Sequence, residues 1–360
     1  MSERAMPSIG FLADVGVSLQ GLIEIAREAE TAGFEGAWMV EYEYDSFAIN
    51  QALLQGTERL TVGSCIARYF ARDPLALAEN AAVIDLLAPG RYAIGIGTGP
   101  LKRAGNAKAE QRWGGDPKRS LGRMTEYLDV IRRALNNPDL ELSYDGEFFS
   151  FSGVKMRVRP SGHVPIWLSA GGPKMAAVAG RLADGVFVHM VDGDGTRKTL
   201  EIARAAAVEA GRDPDALQLG NLIPTCVSDD SAEARRSLRA FMLDYYFHLP
   251  HYHKWLAEMG FEDTANALRD AAVQGDTKGG VEEILADPRA SAAADMIPDE
   301  VLDTLTIVGT PEECQAKLRE VVEWGTDLPI LYAFPAHGDW AEGYRTTIAA
   351  FAQAPVATAT

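Results

Sequence analysis

Two glycine-bearing stretches hold the residue types that binding an anion through the main chain requires: GIGTGP over residues 95–100 and SAGGPKMAAVAGRLADG from Ser169 onward. In the second, Gly171 and Gly172 stand between an apolar run and a helical pattern. The first amides of a helix have no partner within it and carry the positive end of its dipole, so a phosphate can be held there by backbone alone. The same glycines equally suit a tight strand-to-helix turn. Two such loops on one rim suggest a ligand with a phosphate and a flat ring. Past the first loop, Lys102, Arg103, Lys108, Arg112, Lys118, Arg119 and Arg123 face only Glu110 and Asp116, reversing the chain's overall sign. Such a run either draws anionic ligands or is a solvated loop and helix face. Asp14, Glu41, Tyr42 and His189 close apolar runs, where each either handles a proton or ties down backbone. Histidines and carboxylates are too sparse at these positions for a two-His, one-carboxylate centre, so no catalytic metal is expected.

Bringing these residues to one edge needs a regular frame, and the hydrophobic pattern supplies one. Short β-rich apolar runs alternate with amphipathic helical stretches. Ser8 to Ala13 reads as a strand and Leu19 to Ala32 as a helix stopped by Gly33. Strands are expected over Gly36 to Glu41, Leu60 to Ala67 and Arg91 to Gly97, with helices over Phe47 to Gln55, Pro74 to Leu87 and Ser120 to Leu135. Pro74 at a first turn and the Pro89-Gly90 stop follow the usual helix punctuation.

Residues 138–162 break the rhythm, since alternating aromatic and polar residues around Asp145-Gly146 predict an antiparallel β-ribbon serving as a lid or packing hairpin. The alternation resumes with strands over Pro165 to Ala170, Gly185 to Met190 and Leu217 to Val227, and helices over Lys174 to Leu182 and Thr196 to Ala210. Residues 231–304 are too long for a simple connection and read as a mostly helical insertion. It contains Tyr245, Tyr246, His248, His251 and Trp255, which either roof a substrate or form the insertion's own core. A helix over Pro311 to Trp324, a strand over Pro329 to Phe334 and a helix over Trp340 to Gln353 complete the chain.

Eight strands alternating with helices predict a parallel sheet, and the count favours closure as a (β/α)8 TIM barrel with insertions, one domain over 1–360. A barrel of this kind uses about 250 residues and tolerates decoration. The 360-residue length fits. An open dinucleotide-binding sheet is disfavoured because no G-x-G-x-x-G follows the first strand. In a barrel the reactive side chains sit at the C-terminal strand ends, which is where Asp14, Glu41, Cys65 to Arg68, Gly97 to Pro100, Ser169 to Gly172 and His189 fall.

A net charge of −17 turns nucleic acid and anionic membrane away, leaving a small molecule as the expected partner. Cys65, Cys226 and Cys314 are far apart and form no C-x-x-C, which suits a reducing cytoplasm. The start MSERAMPS has no apolar core of a secretion signal, and no stretch of about 18 apolar residues reads as a membrane span.

The run IARYFARDPLALAENAAVIDLLAPGRYAIGIGTG over 66–99 resembles the luciferase-like flavin and deazaflavin oxidoreductases, in its Arg-x-Pro-type turn, Ala-rich helix, Gly-Arg pair and glycine-ended strand. SAGGPKMAAVAGRLADGV and the later IVGTPEECQAKLREVVEWG extend the resemblance. Within that superfamily, SCIARY at the end of the third strand is most similar to the coenzyme F420 (5-deazaflavin) branch. The resemblance implies a bacterial-luciferase-like barrel, homodimeric, using F420, with flavin mononucleotide (FMN) as the alternative cofactor. It further implies a non-prolyl cis bond at Ser64-Cys65 or Cys65-Ile66 behind the ring, with Arg68 beside it. Gly97, Thr98 and Gly99 would lie near the cofactor, and Ala170, Gly171 and Gly172 would take its phosphate. Relatives in that branch commonly have Asp-His where this chain has Glu41-Tyr42. Its sugar-phosphate dehydrogenases carry an acid where this chain has Pro100, which argues against glucose 6-phosphate as substrate. The expected reaction is hydride transfer between the deazaflavin and a small organic substrate, with Glu41, Tyr42 and Asp14 as candidate proton-handling residues. An FMN-dependent monooxygenase using dioxygen, and a non-catalytic flavin-binding protein, are the competing readings.

Overall fold

The computed structural model describes residues 6–13, 15–41, 44–99, 119–137, 141–247, 250–271, 281–337 and 339–352. In chain order the first elements are β1 (Ser8–Leu12), α1 (Leu19–Thr31), β2 (Gly36–Val40), α2 (Ser46–Gly56), β3 (Thr61–Ser64), β4 (Ala67–Arg68), α3 (Pro74–Leu87), β5 (Tyr92–Gly97) and α4 (Ser120–Asn136). Next come β6 (Leu142–Asp145), β7 (Ser150–Val154), β8 (Ile166–Ser169), α5 (Pro173–Leu182), β9 (Gly185–His189), α6 (Gly193–Glu209) and β10 (Gln218–Val227). The helical insertion follows as α7 (Ser231–Met242), α8 (Pro250–Glu258), α9 (Glu262–Ala271), α10 (Val281–Ala286), α11 (Pro288–Ala294) and α12 (Asp299–Leu305). The chain ends through β11 (Ile307–Gly309), α13 (Pro311–Glu323), β12 (Leu328–Ala333) and α14 (Trp340–Phe351).

The strands run in the order β11-β10-β12-β1-β2-β3-β5-β8-β9, with β4 on β5 and a further pairing of β10 with β9 that returns the row to its start. Without the short β4 and β11, this is the strand order of a (β/α)8 barrel, as the alternating pattern predicts. The eight barrel strands are the eight read from the sequence, and most boundaries agree within two residues.

By contacts the chain divides into two units. The first comprises residues 1–35, 190–196 and 221–360. Within it β1 pairs with β12 and β10 with β11, both parallel. Tyr344 of α14 ties that helix to β1 by accepting from the Leu12 amide at 2.9 Å and donating to the Leu12 carbonyl at 3.1 Å. Strand β11 has no counterpart in the sequence reading, because three residues between two helices are too few to show an alternation. In the insertion, Leu243–Phe247 form a π-helical turn, and Tyr246, Tyr252 and Trp255 pack edge to face on one another at centroid distances of 5.2–5.3 Å. His248 lies outside the described residues.

The second unit, residues 36–189 and 197–220, holds β2 to β9. Its core is a layer of large rings facing bare backbone. Trp38, Trp167 and Phe187 are almost fully buried and meet at 4.8–5.9 Å. A β-carbon on Gly63 would lie 2.4 Å from the Trp38 ring, one on Gly185 2.2 Å from Trp167, and one on Gly220 2.4 Å from Phe187. These glycines are there for volume, since interiors pack to crystal density. The Gly90-Arg91 pair also finds its reason here. Gly90 adopts a left-handed φ of 72° and donates to the buried Asp85 carboxylate at 3.0 Å. Arg91 then reaches the carbonyls of Leu54 at 2.8 Å and Leu60 at 3.3 Å, closing the ends of α2 and β3.

Strands β6 and β7 pair antiparallel as a two-stranded ribbon. Its turn is held by Glu126 of α4, whose carboxylate accepts from the amides of Glu147 and Phe148 at 2.8 Å and Phe149 at 3.2 Å. Arg119 stacks on the Phe148 ring at 4.6 Å and Arg123 on Phe149 at 5.6 Å. Of the basic run singled out above, these two lie among the described residues and face the ribbon; Lys102 to Lys118 lie outside them.

Candidate functional site

The third barrel strand departs from the continuous run expected over Leu60 to Ala67. β3 stops at Ser64, the Cys65-Ile66 bond is cis, and the chain re-enters the sheet as β4, which pairs Ala67 with Ile96 and Arg68 with Gly97. The cis bond is thus the second of the two positions the resemblance allowed. Around it the backbone is crowded: Ser64 Oγ donates to the Gly95 carbonyl at 3.0 Å, and a β-carbon on Gly95 would stand 1.8 Å from the Ser64 carbonyl oxygen. The bulge therefore depends on glycine in the neighbouring strand.

Beyond the bulge three strand ends converge. A β-carbon on Gly97 would meet Ile66 Cγ1 at 2.8 Å and Ser169 Cβ at 3.1 Å. One on Gly99 would lie 3.3 Å from Arg68 Cγ, and Gly99 has a left-handed φ of 61°. The ends of β4, β5 and β8 thus meet with no side chain from the glycines between them. Of the expected cofactor residues, Ser64 and Cys65 are buried in the bulge, whereas Ile66, Arg68, Thr98, Gly99, Ala170 and Gly172 keep partial exposure and Gly171 is exposed. Burial pushes the Cys65 thiol well above the ordinary cysteine value. It should therefore resist iodoacetamide in the folded protein and react only on unfolding, which mass spectrometry with and without denaturant checks.

The loop after β8 leads directly into α5. Ala170 donates to the Phe187 carbonyl at 2.9 Å, fixing the loop's start. Pro173 opens α5 and has no amide to place, while Met175 and Ala176 donate back to the Gly172 carbonyl at 3.1 and 3.0 Å. Among the described residues the amides of Gly171, Gly172 and Lys174 meet no backbone acceptor. At Gly172 a β-carbon would touch nothing within 4 Å, and its φ of 164° is extended backbone. That glycine is needed neither for the turn nor for the packing. Open space over uncommitted amides at a helix start is the arrangement that accepts a phosphate.

Glu41 sits where β2 ends, with its side chain 2% exposed between two guanidiniums. Arg68 Nε lies 3.2 Å from Oε1, Arg72 Nη2 lies 2.9 Å from Oε2, and Ser46 Oγ donates to Oε2 at 2.8 Å. Arg72 also reaches Asp45 at 2.8 Å and rests on the Phe47 ring at 4.8 Å. Burial works against the Arg72 charge, but Glu41 and Asp45 raise its pKa above the usual guanidinium value. Burial likewise raises Asp45, yet Arg72 and the Phe47 and Ala48 amides it caps outweigh this and hold the carboxyl below its ordinary range. Asp45, Ser46 and Arg72 were not picked out from the sequence. Their signal is topological: adjacent parallel strands β2 and β3 end on one edge, so acids after the first face arginines after the second. Asp14 and Tyr42 lie outside the described residues.

Among the described residues no three His, Cys, Asp or Glu side chains gather as metal ligands, and no helix is long and apolar enough to cross a membrane. Residues 7–328 match the family model described as luciferase-like monooxygenase. The chain is 27% identical over 300 residues to the 5,10-methylenetetrahydromethanopterin reductase of Archaeoglobus fulgidus, covering 82% of this chain and 84% of that protein. It is 24% identical over 328 residues to the F420-dependent glucose-6-phosphate dehydrogenase of Mycobacterium avium, covering 88% of each. Among solved structures, the coenzyme F420-dependent tetrahydromethanopterin reductase of Methanopyrus kandleri superposes with a TM-score of 0.76 at 19% identity, over 96% of this chain and 98% of that one.

Proposed function

Because the chain belongs to the luciferase-like monooxygenase family, we propose that it is an oxidoreductase, one barrel domain over 1–360, that moves a hydride between coenzyme F420 and a small organic substrate. The observation that carries this reading is the loop from Ala170 to Lys174, with uncommitted amides at a helix start and open space above Gly172. The F420-dependent glucose-6-phosphate dehydrogenase at 24% identity supports the deazaflavin over FMN.

The bound ring supplies the hydride chemistry; the protein supplies place and field. Gly171, Gly172 and Lys174 hold the phosphate through their amides. The Cys65-Ile66 bulge backs the ring, with Ile66 packed against Gly97 so that the strand ends stay flat. Tyr42 and Asp14 are the proton donors to test first. Glu41 is gripped by Arg68 and Arg72 and braces the strand ends beside the ring. Mixing the reduced deazaflavin–protein complex with a panel of small carbonyls and imines checks the enzyme reading. Return of the oxidised ring's visible absorbance with one substrate supports it, and a reduced complex inert to every acceptor leaves a binding protein.

The same reading extends to the surroundings. Helix α3 leaves Val83, Leu86 and Leu87 exposed at 42%, 52% and 49%, an apolar face that supports a homodimer through this helix. Leu86→Glu should then halve the mass seen by light scattering. A wild-type monomer at tens of micromolar, or an unchanged mass in the variant, contradicts it. Three free, buried cysteines support a cytoplasmic setting.

A further inference from the structure

We infer that the first unit carries a small-molecule site of its own, a cleft that takes a zwitterion: an amine and a carboxylate joined by a short apolar chain. The cleft has a volume of about 290 Å3 and lies between α7, α10 and the segment after β12. Every residue lining it belongs to the first unit. It sits where the chain has left β10 and β12, the seventh and eighth strands of the barrel, and the loops after those strands frequently bind ligands in barrels of this kind.

Two kinds of surface line the cleft. Val281, Leu285, Ala286 and Ala336 form an apolar wall, in which Val281 and Ala336 are buried. Arg236 of α7 and Glu282 of α10 bring one cation and one anion from different helices. Both are exposed, and among the described residues neither makes a hydrogen bond or an ion pair, with the other or with any third group. The remaining polar groups of the lining are already engaged. Glu233 accepts from Ser228 Oγ at 2.9 Å and faces His337 Nδ1 at 3.4 Å, while His337 Nε2 faces Glu342 at 3.5 Å. Ser237 Oγ donates to the Ala336 carbonyl. One guanidinium and one carboxylate are thus left uncommitted over an apolar wall. A ligand with a single charge meets one of them and sets its uncharged end beside the other. A zwitterion meets both through charge-assisted hydrogen bonds, and its methylenes cover the wall. The selection comes from opposite charges at two places, whatever their sum. An exposed Arg–Glu pair formed by side-chain rotation contributes little in water, so the ligand displaces nothing costly.

The test is calorimetric titration of the unliganded protein with glycine, 4-aminobutanoate and 6-aminohexanoate, beside the plain carboxylate and the plain amine of each chain length. At least one of the three zwitterions is expected to bind with a dissociation constant on the order of 1 mM. It should bind roughly tenfold more tightly than either single-charged analogue of its own length. Arg236→Met should weaken it about tenfold and leave it no better than the plain amine, and Glu282→Gln should bring it down to the plain carboxylate. Both side chains are exposed, so both variants should melt as wild type does; if one does not fold, the other decides alone. No binding of any zwitterion up to tens of millimolar, binding no tighter than that of the single-charged analogues, or affinity unchanged in a folded variant overturns the inference. Because the titration contains no cofactor, failure of the protein to bind the deazaflavin overturns the functional reading and leaves this site untouched.

Discussion

Gly172→Val is expected to fold normally and to lose cofactor affinity by roughly a hundredfold or more, if two amide bonds to a charged phosphate at about 1.5–3 kcal/mol each go unmade. Both halves of that result come from the same geometry. Valine fits the apo protein because the backbone at 172 is extended and a β-carbon there meets nothing within 4 Å. It hurts the complex because the branched side chain would fill the approach to the amides of Gly171, Gly172 and Lys174. A melting temperature within a few degrees of wild type, with a dissociation constant raised about a hundredfold, is the expected pair of measurements. A variant that binds as wild type would mean that the phosphate is held elsewhere.

Glu41→Ala should be costly in a different currency, lowering unfolding free energy by about 3–5 kcal/mol in urea, because deleting one partner strands buried opposite charges. Arg68 and Arg72 would lose the buried carboxylate that both contact while staying at low exposure themselves. The outcome separates two roles for this residue. A proton donor would show lost turnover with stability kept within about 1 kcal/mol, whereas a charge held between guanidiniums shows the stability loss first.

The barrel could be read from the sequence because its signals are local. Apolar alternation, Pro74 at a helix start and the stops at Gly33 and Gly90 each act over a few residues, and the strands they delimit are the barrel strands found. The loop after β8 was visible for the same reason, as two glycines between a strand and a helix. What escaped the reading depends on distance or brevity. Asp45, Ser46 and Arg72 become neighbours of Glu41 only once β2 and β3 lie side by side, and nothing in either segment alone announces the other. β11 is too short for a periodic pattern, and the π-helical turn at Leu243–Phe247 changes hydrogen bonding without changing residue type. The bulge at Cys65-Ile66 lies inside the β-rich run LTVGSCIA over 60–67, which reads as one strand where backbone geometry makes two. Only the family resemblance pointed to it.

The glycine-lined strand ends are held to seat a phosphorylated deazaflavin, and equilibrium titration of the unliganded protein with F420 and, separately, with FMN tests that most directly. One F420 bound per chain at micromolar concentration or below, with FMN at least tenfold weaker, is the expected result. Tight binding of FMN with no binding of F420 would contradict it.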